Sequence, residues 1–274
     1  MVNLHPSIRD LPIRYRLTYA YFSSLIIALL VALASLVGLF FPERIYPTEE
    51  LLQTFMPNDL VNLFFGLPFL LGSMWLAWRG KLVGLLFWPG TLLYVLYNYI
   101  AYTYGVPYNT LLVVYLMLIA LSAYTVFGLV SGIDGAAVKE ALAGAIAERA
   151  GAAVLAGLGL LFTLRNLGVI TGITGGAPVS DIQAGVLVAD FMLLPAWIAS
   201  GILLWHREPL GFVAGAALLF QACSLFIGLI LFMILGPIFG GAPLVLVDVS
   251  VVFALGLVCF IPMALFLRGI IAKS

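Results

Sequence analysis

The sequence predicts an all-α integral membrane protein, a bundle of eight transmembrane helices. Three observations lead to this prediction. Hydrophobic residues make up 64% of the 274 residues and charged residues only 9%, with a mean hydropathy of +1.19. Soluble proteins carry about 25% charged residues, so this composition is typical of a chain that lies in lipid. The chain also divides into eight apolar runs, and part of its first half recurs in its second half.

Each apolar run is long enough to cross about 30 Å of hydrocarbon. The predicted spans are Leu17–Phe41, Leu60–Trp78, Leu82–Tyr104, Asn109–Val130, Ala150–Val169, Ile182–Trp205, Leu210–Leu235 and Leu244–Arg268. A polar leader, residues 1–16, precedes the first run. This run is too long for a cleavable signal, so we expect it to be retained as a span. We expect Thr48–Met56 to form a short helix resting on the outer interface.

The internal repeat is clearest around a basic hairpin. LPFLLGSMWLAWRGKLVG (Leu67–Gly84) overlays LPAWIASGILLWHREPLG (Leu194–Gly211) without a gap, and identical residues occupy six of the eighteen positions. The motif GGAP also occurs twice, at Gly175–Pro178 and Gly240–Pro243. Repeats with an even number of spans are parallel, related by an axis along the membrane normal. Pro68 and Pro195 are equivalent, so matching kinks are expected at these two positions.

The repeat divides the chain into two four-helix halves, residues 17–131 and 150–274. Residues 132–149 link them on the cytoplasmic side. In this linker Val138, Leu142 and Ile146 recur every four residues, which predicts an amphipathic helix.

Orientation follows from the 12 Lys and Arg residues. With the N-terminus inside, ten of them lie on the inner side, and only Arg44 and Arg165 lie on the outer side. Since cytoplasmic loops carry the excess of basic residues, both termini are predicted to be cytoplasmic. We therefore expect a multi-pass protein of the cell membrane.

Composition also argues against several functions. The formal net charge is zero, so nothing indicates a nucleic acid partner. Cys223 and Cys259 lie in apolar runs and are interpreted as packing residues, and His5 and His206 are too few for haem, di-iron or zinc chemistry. No lysine lies in a span, which excludes a retinal Schiff base. We therefore expect no cofactor and no metal.

Three charged residues within the spans need an explanation, because an ionised group at mid-membrane is costly. Asp190, Asp248 and Arg165 all fall in the predicted outer half of the membrane. Arg165 can neutralise only one of the two carboxylates, and the sequence does not decide which. The remaining carboxylate would be solvated, protonated or paired with a bound cation. Alternatively Arg165 reaches the headgroups, Asp248 serves as a deep helix cap, or Asp190 forms a structural salt bridge with Arg165.

Uncharged polar residues at helical spacing accompany them. The predicted pocket therefore lies in the outer half and also contains Asn62, Tyr94, Asn98, Tyr102, Gln183, Trp197 and Gln221. For Asn98 and Gln221, hydrogen bonding between helices without a ligand is the alternative. Asp59 and Asp181 are interpreted as helix caps. The inner half looks dry, which counts against a continuous polar path.

The segments Asp59–Gly80 (DLVNLFFGLPFLLGSMWLAWRG) and Tyr97–Asn109 (YNYIAYTYGVPYN) resemble a group of prokaryotic polytopic membrane proteins. The resemblance covers about residues 59–109. No activity is assigned to that group, so the resemblance implies no catalytic or binding residue.

The favoured function is binding or translocation of a small solute, a cation or a proton through an outer-facing polar pocket. An intramembrane protein or enzyme that binds a lipid or isoprenoid is the first alternative, and a structural or accessory subunit is the second. An enzyme is less favoured because no nucleophile motif or Asp-rich metal motif is present. Partners are the bilayer itself and a small solute, cation or lipid ligand. The sequence does not indicate an oligomeric state.

Overall fold

A computed structural model describes residues 11–240 and 243–272. Eight of its helices are long and apolar enough to cross a membrane, which confirms the predicted number. Numbered as spans 1 to 8 in chain order, they are Thr18–Phe40, Glu49–Trp78, Leu82–Gly105, Leu112–Gly132, Glu148–Thr174, Asp181–Trp205, Pro209–Phe239 and Leu246–Ile271. Short helices at Pro42–Ile45 and Gly135–Leu142 join them, and span 7 ends in a 3-10 turn, Gly236–Phe239.

Successive spans are antiparallel. Span 5 meets span 6 through Gly159 with Ile198 and through Asn166 with Asp190, so one number rises as the other falls. The bundle therefore has two ends. We call the end where span 1 begins the near end, and the end where span 1 finishes the far end. The charge distribution predicts that the near end is cytoplasmic.

Span 2 begins earlier than predicted. Its first residue is Glu49, and the Thr48 hydroxyl caps it by accepting a hydrogen bond from the Leu51 N–H. The predicted interface helix Thr48–Met56 is therefore wrong, because this stretch forms the first turns of span 2. The same correction applies to Asp59, which does not cap a helix but lies ten residues inside one.

The prolines Pro68 and Pro195 do not have matching backbone surroundings. Residues Asn62–Gly66 form a π-helical turn immediately before Pro68, closed by a hydrogen bond from the Leu67 N–H to the Asn62 carbonyl. Pro195 lies within the uninterrupted α-helix of span 6. A π turn adds one residue to the helix, so the irregularity is confined to span 2.

Span 3 occupies the centre of the bundle. It contacts spans 2, 4, 6 and 7, and its residues are buried along most of its length. It runs parallel to span 7, and a Cβ at Gly90 would overlap the Ala217 carbonyl. The absence of a side chain at Gly90 is what lets the two backbones touch. Spans 5 and 8 lie at the periphery and expose most of their apolar residues.

The near end is closed by two similar hairpins. In the first, the N–H groups of Gly80 and Lys81 bond the carbonyls of Ala77 and Leu76, and Gly80 has a φ of 75°. The second hairpin, 127 residues later, has the same two bonds from Arg207 and Glu208 to Leu204 and Leu203. Both are Schellman turns, but in the second the left-handed position holds Arg207, with a φ of 57°.

The linker between the halves packs against the near end. Its helix Gly135–Leu142 is capped by Asp134, whose carboxylate accepts bonds from the Ala136 and Ala137 N–H groups. Val138, Leu142 and Ile146 are all buried, as the four-residue spacing predicted. The helix ends at Leu142, so Ile146 reaches the core from the following turn rather than from the helix.

Candidate functional site

The strongest predicted residue, Asp190, lies nine residues after the start of span 6 and is 9% exposed. At 1.5 Å per residue this places it about 13 Å from the far end of the helix. Glycine at Gly185 lets span 6 approach span 3 closely, because a Cβ there would overlap the Ala101 carbonyl. The side chain of Asp190 consequently points into the contact between spans 3, 5 and 6.

Both carboxylate oxygens of Asp190 accept hydrogen bonds from neutral groups. The Tyr97 hydroxyl donates to Oδ1 at 2.9 Å, and the Asn166 amide donates to Oδ2 at 2.8 Å. Asn166 is fully buried. We call Tyr97, Asn166 and Asp190 the Asp190 cluster. Neither Tyr97 nor Asn166 was among the residues predicted to line the pocket.

Arg165 does not pair directly with Asp190. Its Nη1 donates to Asn166 Oδ1 at 3.1 Å, so the guanidinium reaches the carboxylate only through the buried amide. The side chain itself is on the exposed surface of span 5. Among residues 11–240 and 243–272 the ion pairs are Arg14 with Asp134 and Arg207 with Glu148, so the predicted structural salt bridge of Asp190 is not formed.

Asp248 and Gln183 are not part of the Asp190 cluster. Asp248 is exposed in the first turn of span 8, where its charge interacts favourably with the positive end of the helix dipole. Gln183 is exposed near the start of span 6, and its backbone N–H bonds the capping hydroxyl of Ser180. Neither side chain hydrogen-bonds Asp190, whose described partners are Tyr97 and Asn166.

Trp197 and Gln221 connect three spans near the middle of the bundle. The Trp197 indole N–H donates to Gln221 Oε1 at 2.9 Å, and the Gln221 amide donates to the Leu93 carbonyl at 3.4 Å. Both side chains are buried. The alternative interpretation of Gln221, hydrogen bonding between helices, describes these contacts.

The polar residues of spans 2 and 3 also separate. The Asn98 amide donates to the Tyr94 carbonyl of its own helix at 2.9 Å. Tyr94 packs between Phe65 of span 2 and Gly228 of span 7. Asn62 is 3% exposed, and its amide nitrogen has no hydrogen-bond partner in the described chain.

Tyr102 bonds a different carboxylate, that of Asp59, which was predicted to be a helix cap. Its hydroxyl donates to Asp59 Oδ1 at 3.1 Å, and the Tyr46 hydroxyl donates to Asp59 Oδ2 at 2.7 Å. Asp59 is only 1% exposed. The signal that could have revealed it is Thr48-Glu49-Glu50, a helix start that places Asp59 deep in span 2.

The near half of the first four spans also contains buried polar groups, contrary to the predicted dry inner half. Trp88 donates to the Ser24 hydroxyl at 2.9 Å, and Thr125 donates to the Ser23 hydroxyl at 2.8 Å. These groups satisfy one another across spans 1, 3 and 4.

No group of three His, Cys, Asp or Glu side chains in the described residues could hold a metal ion. Cys223 and Cys259 are both free and buried, as expected for packing residues. The chemistry available at the Asp190 cluster is therefore that of one carboxylate, one phenol and one amide.

No family model, no curated protein and no solved structure matches this chain. The resemblance to prokaryotic membrane proteins therefore stays a prediction.

Proposed function

We propose that the protein binds or translocates a small solute of the simplest kind, a cation or a proton, at Asp190. The observation that carries the proposal is that this carboxylate lies within a helix apolar enough to span a membrane, and its hydrogen-bond donors among the described residues are both neutral. An ionised carboxylate without a direct counter-charge is strongly disfavoured in this environment. A proton or a small cation would supply the missing charge.

The surroundings favour a small occupant over an organic one. Both oxygens of Asp190 already have partners within 2.9 Å, and the residue is 9% exposed, so space beside it is limited. A proton needs no space, and a small cation can use the phenol oxygen of Tyr97 as a further ligand, whereas the amide oxygen of Asn166 is already bonded to Arg165. Arg165, held on the other side of the amide, would weaken the binding of a cation as it approaches.

The two-half architecture is part of the same proposal. The hairpins that contain Gly80 and Arg207 have the same backbone bonds at an offset of 127 residues. Gly90 and Ala217, which touch where spans 3 and 7 cross, are also 127 residues apart. Equivalent residues meet at the axis of a parallel two-fold repeat, so these contacts support one. The Asp190 cluster then lies where span 3 of the first half meets spans 5 and 6 of the second.

Transport is tested with the purified protein in liposomes that contain a pH-sensitive dye. A potassium gradient with valinomycin sets an inside-negative potential, and acidification inside is followed with and without external sodium. We expect the intact protein to acidify the interior, or to respond to sodium, and the Asp190→Asn variant to lose the response. Asp181→Asn, an exposed first-turn residue of the same span, is the matched control and should behave like the intact protein.

Binding without transport is tested by the thermal midpoint in detergent. A ligand that binds only the folded state raises this midpoint, so it should depend on pH or on cation concentration. The dependence should weaken in Asp190→Asn and persist in Asp181→Asn. If the intact protein shows no flux, and neither pH nor cations change its thermal midpoint, the proposal is refuted. A midpoint that rises only with added lipid would favour the lipid or isoprenoid alternative.

A further inference from the structure

The second buried carboxylate, Asp59, has surroundings unlike those of Asp190. Five elements enclose it: span 1 with Ser35, the segment after Pro42–Ile45 with Tyr46, span 2 itself, span 3 with Tyr99 and Tyr102, and span 4 with Tyr115. We call Ser35, Tyr46, Asp59, Tyr99, Tyr102 and Tyr115 the Asp59 cluster. Each of its members is at most 2% exposed.

The titratable groups that face Asp59 are all phenols. Tyr46 and Tyr102 bond its two oxygens directly, and Tyr99 and Tyr115 lie behind them, with ring centroids 5.4 and 5.5 Å from that of Tyr102. Neither of the two ion pairs of the described residues involves Asp59. No basic side chain of the described residues therefore compensates a negative charge on Asp59. The indirect contact of Arg165 with Asp190 through the Asn166 amide has no counterpart here.

Three hydroxyls of the cluster make no well-aligned hydrogen bond within the described residues. They belong to Ser35, Tyr99 and Tyr115. The Ser35 hydroxyl lies near Asp59 and Tyr99, and the Tyr115 hydroxyl lies near Tyr46, but these contacts are too long or too poorly aligned to be good hydrogen bonds. A buried hydroxyl without a partner is rare in folded proteins, and three around one carboxyl is a concentration that calls for a partner other than protein.

Water is the partner that fits. Buried waters typically make about three hydrogen bonds to polar groups that would otherwise be unsatisfied, and this cluster offers three hydroxyls and a carboxyl. The side of the cluster that faces Gly38 is closely packed, since a Cβ at Gly38 would overlap Asp59 Oδ2 and lie 2.6 Å from the Tyr46 hydroxyl.

We propose that the Asp59 cluster encloses ordered water and that Asp59 exchanges a proton with it. In the exchange the carboxyl O–H bond breaks and a water O–H bond forms, giving a carboxylate and a hydronium ion. The hydrogen bonds that Tyr46 and Tyr102 donate stabilise the carboxylate that remains. This inference does not rest on the function proposed for Asp190, because the two carboxylates share no hydrogen-bond partner.

The protonation of Asp59 is tested by infrared spectroscopy of the intact protein in H₂O and D₂O. A protonated carboxyl gives a C=O band separate from the amide bands, and this band shifts in D₂O when the proton exchanges. We expect a band that shifts in D₂O, is lost in Asp59→Asn and persists in Asp190→Asn. A band that is absent, that fails to shift, or that persists in Asp59→Asn would overturn the inference.

The enclosed water is tested by hydroxyl-radical footprinting with a short X-ray pulse, which labels side chains beside bound water even when they are buried. We expect Tyr99 and Tyr115 to be labelled several times faster than Phe212, a fully buried aromatic residue outside the cluster, after correction for intrinsic reactivity. Gly38→Ala removes no polar atom but places a methyl group against Asp59 Oδ2 and the Tyr46 hydroxyl. It should push these two groups toward the enclosed water, reduce the space for it and slow this labelling.

Equal labelling of Tyr99, Tyr115 and Phe212 would overturn the inference for a folded protein. If Gly38→Ala does not fold, the comparison of the three residues within the intact protein still decides the question. A failure of ion flux in the liposome assay with normal labelling here would refute only the function proposed for Asp190.

Discussion

Replacing Arg207 by glycine separates two opposing effects at the near-end hairpin. Arg207 has a φ of 57°, a left-handed conformation that costs a residue with a Cβ about 1–2 kcal/mol and costs glycine almost nothing. Glycine should therefore relieve this strain. Arg207 also lies with its Nε 2.6 Å from Oε2 of Glu148, a carboxylate that is 5% exposed. The contact is an ion pair without hydrogen-bond geometry, and glycine removes it.

The magnitude of the second effect decides the sign. Exposed pairs contribute about 0–1 kcal/mol, and breaking a fully buried pair costs about 3–5 kcal/mol. Here the Glu148 carboxylate is buried but the Arg207 side chain is 60% exposed. We therefore expect the loss of this ion pair to cost about 2–3 kcal/mol. Arg207→Gly should then destabilise the protein by about 1 kcal/mol. In a Glu148→Gln background the charge is absent, and the same change should stabilise by about 1–2 kcal/mol.

The assay is the thermal unfolding midpoint in detergent for the four proteins of the cycle. A change of 1 kcal/mol corresponds to a shift of about 2–4 °C for a chain of this size. Gly80→Ala, at the equivalent position of the first hairpin, has no ion pair and should lower the midpoint through strain alone. If Arg207→Gly changes the midpoint equally with and without Glu148, the ion pair contributes nothing measurable. If the change lowers the midpoint in the Glu148→Gln background, glycine relieves no strain at this position. Either result would refute the reasoning.

Three further changes test the packing and the linker. Gly90→Leu should destabilise by at least about 1–3 kcal/mol, measured by the same midpoint, because its side chain would enter the backbone of span 7. Gln221→Leu should cost about 1–3 kcal/mol because the Trp197 indole N–H is left without a partner, and adding Trp197→Phe should recover part of the loss. The N–H groups of the helix that Asp134 caps, together with Arg14, hold the pKa of the Asp134 carboxyl below its usual value. That stabilisation is present above about pH 4 and is lost as the pH falls through the lower folded-state pKa, so the intact protein should lose more stability on acidification than Asp134→Asn.

The number of spans could be predicted because lipid leaves few alternatives to long apolar helices. Boundaries were less accurate where a span begins with polar residues. Span 2 is the clearest case, since Glu49, Glu50 and Gln53 hide the fact that the helix has already started. The hydrophobic run begins only at Leu60. An error of eleven residues in the start of that span turned Asp59 from a buried carboxylate into an apparent cap.

Asp190 could be predicted because its depth was counted from a boundary that is nearly right, Ile182 against the observed Asp181. Its partners could not be predicted in the same way. Helical spacing shows which residues of one helix share a face, but it does not show which faces of different helices meet. Tyr97 was not among the predicted pocket residues, and it is the residue of span 3 that bonds Asp190. Tyr102 was among them and bonds Asp59 instead.

Span 3 keeps the two carboxylates apart while bonding both. Tyr97 and Tyr102 are five residues apart, which on an α-helix is a rise of about 7.5 Å and a rotation of about 140°. Their hydroxyls therefore leave span 3 on different sides, one toward spans 5 and 6 and the other toward spans 1, 2 and 4. The Asp190 cluster lies between the proposed halves, whereas the Asp59 cluster lies within the first. A rocking motion of one half against the other would change the surroundings of Asp190 and leave those of Asp59 intact. This geometry therefore favours two separate sites over a single site that uses both carboxylates.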